Sequence, residues 1–174
     1  MANKDEILLG AGEVYMYEFV GAEIPSNEEI ETEAHNVGHC SGGFSIEYKP
    51  EKYDVKNQYN KTVKSYVINE EVTAKTGILS WDLEKLTLLS TAKISNSGAK
   101  KTLTIGGGGK LKDVLVRFVH EKEDGKKVRF TMVGQGGTGF SFEFGEKELT
   151  IDAEIQAIEK VKNFLCSFEE EVEA

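Results

Sequence analysis

The chain has 174 residues, enough for one domain with a substantial core. It is 39% hydrophobic and 29% charged, which excludes a globally disordered protein. A net charge of −9 and a pI near 5.0 exclude a protein that holds nucleic acid by neutralising its phosphates. The 18 glycines against 2 prolines, with Val, Ile, Thr, Phe and Tyr in short alternating runs, point to an all-β architecture with tight turns. Cys40 and Cys166 form no CxxC pair, and reduced, buried thiols are the expectation. The start of the chain has no signal-peptide pattern and no run is long enough to span a membrane, so folding in the cytosol is expected.

Residues 1–12 are polar and glycine-bearing and predict an N-terminal arm. A strand follows over Glu13–Val20, with Tyr15, Tyr17 and Phe19 on one face and Val14 and Met16 on the other, so both faces should be covered. The carboxylate-rich segment 21–36 carries a Pro-Ser-Asn turn signal and predicts a mobile loop. In GGFSIEYKPE, Phe44, Ile46 and Tyr48 alternate as in a strand, and Glu71–Thr76 alternates in the same way. Between them lies a long polar stretch over 50–69. Its Tyr53, Val55, Tyr59, Val63 and Tyr66 are spread irregularly among lysines and asparagines. That pattern predicts an extended hairpin with no core beneath it, and such an arm is better suited to contacting another molecule than to self-packing.

A helix is expected over about 81–90. Ser80 is its N-cap, Asp82 and Glu84 sit in its first turn, and Trp81, Leu83, Leu86 and Leu89 plug the sheet. It is too short to hold without packing. Strands are then predicted over Lys101–Ile105, Asp113–Lys122, Lys127–Val133, Phe140–Phe144 and Glu148–Ile158. Turns fall at the four glycines 106–109, at 123–125 and at GQGGTG. Residues 159–168 fit helix or strand, and 169–174 form an acidic tail.

No catalytic constellation emerges. GQGGTG satisfies GxGxxG in letter, but FSFEF after it has strand periodicity, so the helix N-terminus that would hold a phosphate is missing. GGGGK fails as a P-loop because Thr104 and Leu111 stand where the motif needs glycine and a hydroxyl. His35, His39 and Cys40 lie close in sequence without a fourth ligand, so no metal is expected, and no cofactor. Neither cysteine has a nucleophile signature. The alternation does place Glu47, Glu143, Asp152 and Glu154 opposite apolar faces, giving one acidic sheet surface. Its plain reading is a face kept soluble by charge.

The stretches LGAGEVYMYEF, VGHCSGGFSIEYKPEKYDV, EEVTAKTGILSWDLEKL and ELTIDAEIQAI, in this order, resemble the major tail tube proteins of long-tailed, siphovirus-type bacteriophages. The resemblance implies a mainly β fold: a two-sheet β-sandwich or partly closed barrel, one flanking α-helix and a long extended loop, in a single domain over 1–174. It implies hexameric rings stacked into a tube through the loop 50–69 and the terminal arms, with Tyr53, Val55, Tyr59, Val63 and Tyr66 in contacts between subunits. Glu47, Glu143, Asp152 and Glu154 would line a channel from which phosphates are repelled as double-stranded DNA passes. Partners implied are further copies of the chain, a tape measure protein and tail-end proteins, without membrane binding. The tube would be assembled in the host cytoplasm and end in the virion tail. A related virion ring, a contractile-tail tube, or a monomeric β-sandwich that binds carbohydrate through Tyr53, Tyr59 and Tyr66 are the alternatives.

Overall fold

The computed structural model describes residues 10–173, apart from the side chains of residues 137 and 138. Most of the expected N-terminal arm, residues 1–9, and the last tail residue therefore lie outside the described residues. In chain order come β1 (Glu13–Glu18), α1 (Asn27–Ile30), a 3-10 turn (Glu33–His35), β2 (Cys40–Lys56), β3 (Thr62–Ile78) and α2 (Leu83–Leu88). They are followed by β4 (Lys93–Ser97), β5 (Lys100–Thr104), β6 (Val114–Glu121), β7 (Lys127–Ser141), β8 (Ile151–Ala157) and β9 (Cys166–Glu170). The chain is mainly β, consistent with a β-sandwich.

The large sheet runs β1-β6-β7-β8-β3-β2, and β4-β5 form a separate two-stranded sheet. All the pairings are antiparallel. Strand β7 organises the large sheet. Along one edge it pairs with β6, and along the other with β9 over Val128–Met132 and with β8 over Gly134–Ser141. The expected break at GQGGTG is not there: β7 runs through it with a register shift between Gly136 and Phe140. Glycine is needed here for close approach rather than for a turn. A Cβ on Gly136 would sit 2.4 Å from the Leu89 carbonyl oxygen, where the end of α2 lies against β7.

Period-2 alternation gives each strand two faces, and the main core takes one of them. Val14, Met16, Val116, Phe130, Met132, Ile151, Ile155, Val72 and Ile78 fill it, and Leu86 of α2 with Leu89 just after it close it. Phe44, near the β2 edge, stacks on Phe118 of β6 with centroids 4.9 Å apart. Four strand spacings separate β2 from β6, about 19 Å in a flat sheet. The sheet therefore curls until its apolar face meets itself.

The opposite face holds a second core of Tyr15, Phe19, Ile30, Leu115, Val119 and Val133. Its cover is the segment expected to be a mobile loop. There Glu29 accepts from both the N–H and the hydroxyl of Ser26, each at 2.9 Å, a capping-box arrangement that starts α1. The same two bonds, backbone first, hold the Glu29 carboxyl below its usual range. Ile30 is fully buried beneath it.

Helix α2 is shorter than the expected 81–90 and is capped differently. Asp82 is the N-cap and accepts from the Glu84 N–H, while the Ser80 hydroxyl accepts from the His39 N–H at 2.9 Å. Leu86 and Leu89 are buried and Leu83 is partly buried, but Trp81 precedes the helix and is 52% exposed. Trp81 is not part of the plug. After Cys166, the C-terminal segment is a strand rather than a helix.

Candidate assembly surfaces

Strands β2 and β3 are each 17 residues long, and their outer part leaves the body as a two-stranded ribbon. The last buried residue along β3 is Val72, paired with Tyr48; residues 49–56 and 62–71 are exposed. At ~3.3 Å per residue the ribbon projects by about 25 Å. Asn57 shapes its tip, accepting from the N–H groups of Tyr59 and Lys61.

Of the apolar residues singled out in the sequence, Tyr53 and Tyr66 are paired across the ribbon and Val55 lies two residues on along the same face. Tyr59 stands on the tip at 75% exposure, and Val63 falls at the register shift between Val55 and Lys56. Val67 and Ile68, not singled out, are equally uncovered. An isolated two-stranded hairpin is marginal in water, so a ribbon carrying this much apolar surface is stabilised when something packs on it.

Glu47, Asp152 and Glu154 do share a face. The ladder rows Glu47–Thr73–Gln156, Ser45–Lys75–Glu154 and Ser41–Gly77–Asp152 lie side by side on the solvent face of β2-β3-β8. That face is partly compensated, since Lys49 sits 3.0 Å from Glu47 and Lys75 sits 3.1 Å from Glu154. Glu143 departs from the expectation. Residues 142–144 leave the strand after Ser141, and Glu143 lies on the irregular segment leading to β8.

One feature escaped the sequence reading altogether. Arg117 and Arg129 are the only arginines in the chain, and both are buried on the second-core face. Glu31 accepts from both, at 2.8 and 2.6 Å. Arg117 also donates to Thr131 and Asn27, and Arg129 donates to Glu169 and Glu171. The network ties α1, β6, β7 and the C-terminal end of the chain together. Its signal was present: Arg117 shares its strand face with Leu115 and Val119, a position that otherwise takes apolar residues.

His35, His39 and Cys40 do not converge. The His35 ring stacks on Tyr17 at 3.9 Å, and no cluster of metal-ligating side chains occurs among the described residues. Burial pushes up the thiols of Cys40 and Cys166, and both are free.

The chain matches no protein-family model and no curated protein. The surfaces themselves must carry the functional argument.

Several carboxylates make the fold acid-sensitive, Asp113 and Glu171 among them. Lys160 and Gln135 hold Asp113 below the usual carboxylate range, and Arg129 with the Lys127 N–H does the same for Glu171. A depressed folded pKa contributes stability above the unfolded value, ~4 for these groups, and loses it as the pH falls through the folded value. Urea midpoints should therefore drop on going from pH 7 to pH 3. Asp113→Asn with Glu171→Gln should reduce that drop, and an unchanged pH dependence would remove these groups from the account.

Proposed function

We propose that this chain is a tail tube subunit of a long-tailed bacteriophage, assembling into stacked hexameric rings that conduct DNA during ejection. The observation that carries the reading is the ribbon of β2 and β3, a long paired structure with Tyr53, Val55, Tyr59, Val63 and Tyr66 uncovered and no core of its own. The curl of the large sheet supports the partly closed barrel of that fold. The long outer edge of β2, at one end of the sheet, supports closure of copies edge to edge into a ring. A carbohydrate-binding role for the tyrosines is less well supported, because Tyr53 and Tyr66 stand on a projecting ribbon and not in a groove.

The test is size-exclusion chromatography with negative-stain imaging of the purified chain, with and without residues 52–68. The full chain should form rings and tubes, and the shortened one should stop at single rings or monomers. Tubes from the shortened chain would remove the ribbon from the stacking role. Single rings from the full chain would favour a tail terminator or another virion ring.

In the tube, Glu47, Asp152 and Glu154 face the channel and keep phosphates from adhering. Lysine at all three positions should leave tubes intact under the microscope while reducing DNA delivery by roughly tenfold or more, since each exchange moves the wall by two charges toward the sign that binds DNA. Unimpaired infectivity would place that face elsewhere.

A further inference from the structure

The outer part of the ribbon has a charge of its own, with Glu70 and Glu71 confined to the base where the ribbon leaves the body. Lys49, Lys52, Lys56, Lys61 and Lys64 outnumber Glu51 and Asp54, so residues 49–66 carry a positive excess within a chain of net −9. Lys49 is held by Glu47, but Lys52, Lys56, Lys61 and Lys64 pair with no carboxylate among the described residues. Lys64 lies instead over the Tyr66 ring, 4.8 Å from its centroid.

A surface of opposite character lies at the other end of the sheet. Trp81 meets Phe142 edge-on at 5.7 Å and Phe144 at 6.3 Å, and Phe144 is 77% exposed. Phe142 continues into a depression of about 660 Å³ that is also lined by Glu143, Glu146, Lys147, Glu148 and Asp152. Glu143, Glu146 and Glu148 form no ion pair among the described residues. An aromatic wall beside unpaired carboxylates matches a ribbon of tyrosines and unpaired lysines, in apolar character and in charge.

The positions of the two surfaces decide which molecule can join them. Ser141–Asp152 ends the β7–β8 ladder, Asp152 pairs with Gly77 one row before the end of β3, and the depression begins there. The ribbon tip immediately precedes Thr62, where β3 begins, roughly 50 Å away along the strand. The ribbon cannot fold back onto its own depression without dismantling β3. A second copy, stacked along the strand direction, can receive it.

We infer that the ribbon of one copy docks on the Trp81–Phe142–Phe144 wall and the adjoining acidic depression of the next, in a head-to-tail contact. The contact is heterologous, with different surfaces on the two sides, so it propagates and does not close as a dimer. The inference builds on the self-assembly reading above and supplies the receiving surface that reading lacks.

Charge reversal on each side tests it in the full chain. One variant carries Lys52→Glu, Lys56→Glu, Lys61→Glu and Lys64→Glu; the other carries Glu143→Lys, Glu146→Lys and Glu148→Lys. All seven side chains lie on surface segments, and circular dichroism with thermal midpoints confirms that each variant folds. Sedimentation velocity should show each variant alone needing a roughly hundredfold higher concentration to associate, because like charges then face each other. An equimolar mixture should recover association, since each reversed surface meets its complement. Trp81→Ala with Phe144→Ala should weaken association at both low and high salt, whereas the charge effects fade as salt rises. Normal association of the depression variant, or a mixture no better than its components, overturns the docking while leaving the tube reading intact. Short oligomers of the unaltered chain that are lost in both variants would keep the docking and end the tube reading. A chain that remains monomeric at every concentration ends both.

Discussion

Replacing Glu31 with alanine should destabilise the fold by about 3–5 kcal/mol, a large share of the stability of an ordinary domain. The Glu31 carboxylate is the common acceptor of Arg117 and Arg129, whose side chains are 3% and 7% exposed. Without it, two guanidinium groups remain buried on the same sheet face, with Arg129 relying on Glu169 and Glu171 near the end of the chain. Removing one partner of a buried ion pair costs far more than the pair contributes in net terms, because the other partner's desolvation is no longer offset. Replacing the three together, with Glu31→Leu, Arg117→Met and Arg129→Met, should accordingly recover most of the loss. Urea unfolding of the two variants at neutral pH makes the comparison. A Glu31→Ala variant within 0.5 kcal/mol of the parent, on the order of an ordinary surface substitution, would mean that water replaces the carboxylate.

Phe130→Ala should cost a similar ~3–5 kcal/mol through lost burial and the cavity left behind. Phe130 is 2% exposed and sits where three parts of the sheet meet. It pairs with Phe118 on β6, touches the Phe44 ring of β2 at 5.7 Å and packs on Phe168 of β9 at 5.0 Å. Phe168 is itself 67% exposed, and apart from the partly buried Cys166 it is the one apolar side chain of β9. Amide exchange along Cys166–Glu170 should accelerate ahead of global unfolding in this variant. Exchange in β9 that keeps pace with β6 would show that the arginine network alone secures the C-terminal end.

The parts of the fold legible in the sequence are those where alternation and burial coincide. Val114 to Val119, Val128 to Met132 and Ile151 to Ile155 alternate with period 2, and each became a strand, with Val114, Val116, Phe130, Met132, Ile151 and Ile155 in the main core. Strand β4 was missed because KISNS contains a single apolar residue, and its pairing with β5 is local. The continuation of β7 was missed because glycines that permit close approach to α2 and β8 resemble glycines that permit a turn. Helix α1 was hidden by its own charge: the Ser26–Glu29 capping box stood in the sequence, but so many carboxylates around it suggested solvent. The ribbon could be anticipated from tyrosines without a core. Its basic character and the acidic aromatic surface at the far end could not, because they depend on which residues remain unpaired after folding and on the direction in which β3 runs.

The register shifts of the β2–β3 hairpin carry a mechanical consequence. They fall between Ser41 and Phe44, between Glu51 and Lys52, and between Val55 and Lys56, so two of the three lie in the projecting part. Each shift interrupts the ladder and adds local twist and bend to a structure only two strands thick. The body resists deformation, with β1, β6 and β7 covered on both faces by packed side chains. In a stack joined through such ribbons, compliance therefore resides in the joints and stiffness in the bodies. A tube of the kind proposed above would then bend at its joints while each cross-section kept its bore.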